Sequence, residues 1–244
     1  MGSGKYSALS GAVAREQALS NIAANLANIS TRGFKKDRIS FAAILRGAKQ
    51  TTDAKGINYA RIRKIGTDFS QGGLQTTGRP LDVAIDGEGF FKVRKGAETY
   101  YTRSGHFMLD QNGMLKTGEG ANVLGAGNEP LQFDTTLGKD IFIAETGDIS
   151  INGVVAGLQI GVFTVPDTEQ LTKVGDSLYR LEGGGDRPMA DARTLQGNLE
   201  TSNINMIEEM TAMIATQRAF EANSKALESY SKLGEKQDEL GSVG

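Results

Sequence analysis

The chain has 244 residues, no cysteine, no tryptophan and one histidine, with 27 basic residues against 29 acidic ones. Without thiols there can be no disulfide, thiolate zinc site or cysteine nucleophile, and a lone imidazole, His106, excludes any site built on two histidines. A net charge of -2 offers no extended basic footprint for nucleic acid, and no stretch approaches the ~18 continuous apolar residues of a membrane span.

The first region, residues 1–33, opens without a basic start followed by an apolar run, so no cleaved secretory signal is expected there. Residues 5–29 lack proline, and Leu19, Ile22, Leu26 and Ile29 recur at spacings of three and four. That is a narrow helical stripe. Ala8, Ala12 and Ala23 lie near the same face and would let another helix come close. Ser30, Thr31, Arg32 and Gly33 break the pattern, with Gly33 a natural stop.

Residues 34–71 are mixed in pattern and are expected to form an extended connector. Their basic cluster, Arg61, Arg63 and Lys64, reads as a solvated face.

In residues 72–196 the period switches to two. Leu81 to Ile85 alternates and stops at Asp86-Gly87, and Phe90 to Val93 stops near Gly96. Further runs are Thr99 to Thr102, His106 to Leu109, Ile141 to Ile143, Ile149 to Ile151, Leu158 to Phe163 and Ser177 to Arg180. Asp-Gly and Asn-Gly pairs between such runs are strong hairpin signals. This region predicts an antiparallel β domain.

Residues 197–244 return to a helical period. Met206, Met213, Phe220 and Leu227 recur every seven residues, and Ile207, Met210 and Ile214 widen the stripe. Glu208 and Glu209 suit the first turn, Ser202 or Asn203 reads as the N-cap, and Gly234 reads as the stop. The expected fold is α+β, with terminal helices forming a coiled-coil-like pair that flanks the β domain. Two helices alone cannot cover both stripes. The eleven stripe residues from Leu19 to Ile29 and from Met206 to Leu227 are therefore expected to meet other chains, with the ends ordering fully only on assembly.

No catalytic, cofactor-binding or metal-binding constellation stands out. His106 has no nucleophile or acid at informative spacing, and a structural role is expected. Asp82, Asp86 and Asp110 read as turn and strand-edge residues, and the stretch Asp110-Gln111-Asn112-Gly113 as a hairpin turn.

Four stretches carry a resemblance. Asn25, Leu26, Ala27 and Asn28, followed by Gly33 and Phe34, resemble the N-terminal motif of the flagellar axial proteins, the rod, hook and hook-associated subunits. Gly78, Arg79 and Leu81, running on to Phe91, are similar to the start of the β domain in rod and hook subunits. The stretch from Tyr101 to Gly113 matches its continuation, and Gln217 and Arg218 sit in a stretch similar to the family's C-terminal helix. Each motif alone is weak, but their shared order is specific. Within the family the likeness is greatest to proximal-rod subunits, with distal-rod subunits close behind.

The resemblance implies a structural rod subunit of the flagellar basal body, a periplasmic drive shaft that transmits torque. It implies passage unfolded through the flagellar type III export machinery and no cofactor. Its partners would be copies of itself, other rod subunits and adjacent hook proteins, with neither nucleic acid nor membrane insertion. Two other readings stay open: a phage-tail-like adhesive β protein with helical ends and, last, a hydrolase carried on the β domain.

Overall fold

The computed structural model describes residues 2–46, 57–134, 140–175 and 177–241. The chain divides into two compact units. One comprises Met1–Ala27, Asp37–Asp68 and Asn205–Gly244, and the other Asn28–Lys36 and Phe69–Ile204.

The first unit is built from α1 (Gly2–Ala27), α2 (Met206–Gly241) and a β-hairpin of Asp37–Arg46 with Ile57–Thr67. The helices run antiparallel. Gly4 lies against Tyr230, Gly11 against Asn223, and Asn25 reaches Glu209. Each step along α1 is matched by an equal step back along α2, so the seam repeats every seven residues. Glycine lets the backbones approach. A Cβ on Gly4 would fall 2.6 Å from the Tyr230 hydroxyl, and one on Gly11 3.0 Å from the Asn223 side chain. Ala8, Ala12, Ala14, Ala18 and Ile22 are buried, whereas Ala23 faces solvent, contrary to expectation.

Element ends also differ from the sequence reading. α1 stops at Ala27, so Ile29 sits in the turn beyond it rather than on the helical stripe. The cap of α2 is Asn205, whose Oδ1 accepts the Ile207 amide at 3.0 Å and the Glu208 amide at 3.4 Å. Ser202 and Asn203 precede it. Gly234 does not end α2, which continues to Gly241 for a length of ~54 Å at 1.5 Å per residue. A single helical glycine costs about 1 kcal/mol against alanine, which a long helix absorbs.

The stretch expected as an extended connector is instead a hairpin, paired from Asp37 with Thr67 to Arg46 with Ile57, with one irregularity at Ser40/Phe41. Alternation at Ile39, Phe41, Ala43 and Leu45 fits a strand, but no Asp-Gly or Asn-Gly turn marks the return.

The second unit is antiparallel β. Among the described residues its main sheet has nine strands. One path runs from Leu171–Gly175 through Leu178–Leu181, Glu98–Thr102, Phe90–Lys95, Asn122–Val123 and Leu115–Thr117 to Phe107–Leu109. Val162–Thr164 joins alongside Phe90–Lys95 and also pairs with Arg187–Pro188. A three-stranded sheet holds Ile141–Ile143, Asp148–Ile151 and Val154–Gln159. Two further pairs join Val83–Asp86 to Arg193–Gln196 and Leu74–Thr76 to Asn198–Glu200. Val83, Ile85, Phe91, Val93, Phe107 and Ile149 lie in one buried cluster, with Phe91 and Phe107 edge to face at 5.1 Å.

The predicted turn at Asp110 forms. The Asp110 Oδ1 accepts the amides of Asn112 (2.8 Å) and Met114 (2.9 Å), and Gly113 takes φ +76°. The Asp86-Gly87 pair does not make a hairpin, because Val83–Asp86 pairs with Arg193–Gln196 rather than with the next strand. The run from Leu158 to Phe163 is not one strand either. It splits at Gly161 between two sheets, and a Cβ there would strike the Phe163 ring at 2.5 Å.

Candidate functional site

The helix pair leaves apolar surface uncovered. On α2, Ile207 is 77% exposed, and Met206, Met210 and Ile214 are also exposed, while Met213, Phe220 and Leu227 are half-buried. The residues read as one wide stripe thus divide between two faces. Phe220 and Leu227 share the heptad of Met213, and Ile207, Met210 and Ile214 form an open row at spacings of three and four.

On α1, Ile22 is buried and Leu19 and Leu26 are half-buried. A second open row, Tyr6, Leu9 and Val13, was not singled out from the sequence, although it follows the same spacing rule; Tyr6 is 61% exposed. Gln217 and Arg218 are exposed on α2, with the Gln217 amide 3.4 Å from Glu221. Ala27 is the exposed last residue of α1.

The motif residues after α1 belong to the β unit. Asn28 accepts the Thr31 amide at 3.1 Å through its carbonyl, and the Thr31 hydroxyl at 3.1 Å through its side chain. Gly33 takes φ +64°, and its amide donates to the Glu200 carbonyl at 2.8 Å. A Cβ on Gly33 would sit 2.4 Å from the Ser104 amide nitrogen, so both conformation and space require glycine. Phe34 is buried beneath the Lys173 ammonium, 3.9 Å from the ring centroid.

Next to them is a buried ion cluster. Lys35 and Glu200 are 0% exposed and meet at 2.5 Å, and Arg103 reaches the other Glu200 oxygen at 3.3 Å. Further bonds run to the backbone, while the buried Arg103 Nε has no hydrogen-bond partner among the described residues. Lys35 donates to the Ser70 carbonyl at 2.6 Å, Gly72 donates to Glu200 at 2.8 Å, and Arg103 donates to the Gly87 carbonyl at 2.8 Å. Burial lowers the Arg103 pKa and the Glu200 charge opposes that fall. The cluster's spacing, 35 to 103 to 200, left no sequence signal.

The second motif folds around Asp82. Arg79 grips it with two bonds, at 2.9 and 2.8 Å, Thr77 donates at 2.7 Å, and His106 Nδ1 lies 2.9 Å away. Burial pushes the Asp82 carboxyl up, but the bonds from Arg79, His106 and Thr77 outweigh it and hold the pKa at about 2. Gly78 turns the chain at φ +70° and donates to the Gly197 carbonyl at 3.1 Å, and Leu81 packs half-buried on the core. His106 and Asp82 are therefore partners in a structural tie. Among the described residues no three His, Asp or Glu side chains gather as a metal site would require.

Residues 6–35 match the family model described as flagella basal body rod protein. Residues 84–155 match the flagellar hook protein FlgE/F/G D1 domain, and residues 195–237 the C-terminal model of the flagellar basal body rod FlgEFG proteins. The flagellar basal-body rod protein FlgG of Bacillus subtilis is 34% identical over 238 residues, covering 87% of this chain and 89% of that protein. The flagellar basal-body rod protein FlgF of Caulobacter vibrioides is 33% identical, covering 88% and 87%. The FlgF of Mesorhizobium japonicum is 35% identical, again covering 88% and 87%.

Proposed function

The chain belongs to the flagellar basal-body rod protein family, and from that premise we propose that it is a structural subunit of the rod, joined to its neighbours through the open apolar rows of its paired helices. Its work is mechanical rather than catalytic. The observation that carries this reading is the pair of uncovered rows, Tyr6, Leu9 and Val13 on α1 and Ile207, Met210 and Ile214 on α2. Apolar surface removed from water contributes roughly 25 cal/mol per Å². Rows left open on one chain therefore favour a neighbour that closes over them, and contacts that do not return on themselves build a helical polymer. The half-buried Met206-heptad residues Met213, Phe220 and Leu227, with Leu19, Ile22 and Leu26, brace the pair from inside. Ile29 stands apart from them in the turn.

Rod and hook subunits and further copies of this chain are its partners in this proposal, and the flagellar type III machinery its export route. The substitution Ile207→Asp, or Ile214→Asp, puts a charge on an exposed side chain without touching the β core. Either is expected to abolish swimming and incorporation into basal bodies while the melting of the purified chain moves by less than ~2 °C, since surface changes stay near ±0.5 kcal/mol. Undiminished motility of both variants would refute the role given to these rows.

A further inference from the structure

We propose that the open row of α1 in one copy of this chain seats on the open row of α2 in the next copy, displaced by about two heptads, ~21 Å, along the helices at 1.5 Å per residue. The inference rests on the assembly role given to these rows above and names what covers each of them. Gly4 against Tyr230 and Gly11 against Asn223 set the levels, each step along α1 being matched by an equal step back along α2. Tyr6, Leu9 and Val13 therefore stand level with Glu228, Lys225 and Glu221. Ile207, Met210 and Ile214 stand toward the other end of the pair. With 3.6 residues per turn, both rows lie roughly 140–180° around their helices from the seam residues. One row thus faces out from each side of the pair, at opposite ends.

That placement decides how copies fit. Two copies set side by side at one level, pointing the same way, would press Tyr6, Leu9 and Val13 onto the exposed Glu228, Lys225 and Glu221 of the neighbour. Charged side chains would then lose water beneath apolar ones, which is costly. A shift of two heptads keeps the same faces opposed and exchanges those charges for Ile214, Met210 and Ile207. The rows match in pattern. Residues 6, 9 and 13, like 207, 210 and 214, use spacings of three and then four, and the stretch 6–13 carries no charge. Running against each other, they can interleave as facing heptad positions do. Because the rows sit on opposite sides and at opposite ends, the step repeats from copy to copy without closing, as a helical polymer needs. Three side chains from each copy are far fewer than the roughly 20–30 residues a side of a stable pairwise interface. The contact therefore serves chains that use both rows within a polymer and leaves two free chains apart.

The chain lacks cysteine, so introduced pairs are unambiguous. Leu9→Cys with Met210→Cys, and in parallel Val13→Cys with Ile207→Cys, report the displaced contact, while Leu9→Cys with Lys225→Cys reports level packing. A disulfide needs Cα atoms roughly 4.4–6.8 Å apart, whereas the two positions of either displaced pair lie about 20 Å apart along the helices of one chain, so these pairs close only between copies. Basal bodies are purified from cells whose only copy of the gene carries the pair, then oxidised, and the linked peptides are identified by mass spectrometry. Each displaced pair is expected to give a ladder of covalent oligomers at least tenfold above its single variants, with the level pair unlinked. Failure of both displaced pairs to close would overturn the contact and leave a different rod subunit to cover the rows. Closure of the level pair would overturn the displacement. Dimers from Leu9→Cys alone would overturn the head-to-tail arrangement, because two α1 rows would then face each other. Swimming of Ile207→Asp reads whether the rows are needed, whereas the cross-links read which row meets which, so the two proposals fail separately.

Discussion

The β unit and the helical unit hold themselves together by different means. In the β unit, Val83, Ala84, Phe91, Val93, Leu131 and Phe163 are all 0% exposed, and even its charges at Lys35 and Glu200 are closed off. α2 runs for 36 residues, and none of its side chains described here is fully buried. α1 buries mostly alanines, which bring little apolar area of their own. A sheet with a filled face is complete by itself. A helix pair joined through glycine and alanine gains closeness at the cost of area, and its larger side chains remain on the outside.

Three measurements test that contrast, beginning with the largest expected effect. Glu200→Ala should destabilise the β unit by about 3–5 kcal/mol, because it strands two buried cations, Lys35 and Arg103. Denaturant melting followed by tyrosine fluorescence would read this, and a loss below 1 kcal/mol would mean the cluster is not the closed site described.

Acid should come second. The Asp82 pKa is held at about 2 against an ordinary 3.8, so its bonds stabilise the fold above pH 4. That contribution, on the order of 2 kcal/mol, should fade as pH falls from about 4 to 2. The slope in this window should flatten in Asp82→Asn, and an unchanged slope would place the acid sensitivity elsewhere. The smallest effect belongs to α2. Lys232→Ala removes an exposed pair with Glu228 at 2.7 Å and should shift stability by no more than about 0.5 kcal/mol. A larger loss would show that the helix surface contributes more than the contrast allows.

Much of the plan is legible along the chain. The helical period of residues 5–27 and 206–233, the alternation of the middle and the turn at Asp110 all follow from neighbours a few residues apart. The open row Ile207, Met210 and Ile214 is readable as a stripe, but not as the side facing away from α1. The hairpin of Asp37–Arg46 with Ile57–Thr67 escaped because ten residues separate its strands and no tight-turn pair announces the return. Asp86-Gly87 misleads in the opposite sense: it has the right turn residues, but the strand before it prefers Arg193–Gln196.

By itself the amino-acid order determined the α+β class, the helical ends, the strand-rich middle and the glycines that chains must place at positive φ. Those depend on periodicity and local sterics, which any short window contains. Only the folded molecule decided the antiparallel register of the helices, the closure of Lys35 and Arg103 on Glu200, the partner of each strand and the rows left open to water. These depend on residues dozens to hundreds of positions apart, and their pairing is selected by the total burial and hydrogen bonding that each arrangement achieves.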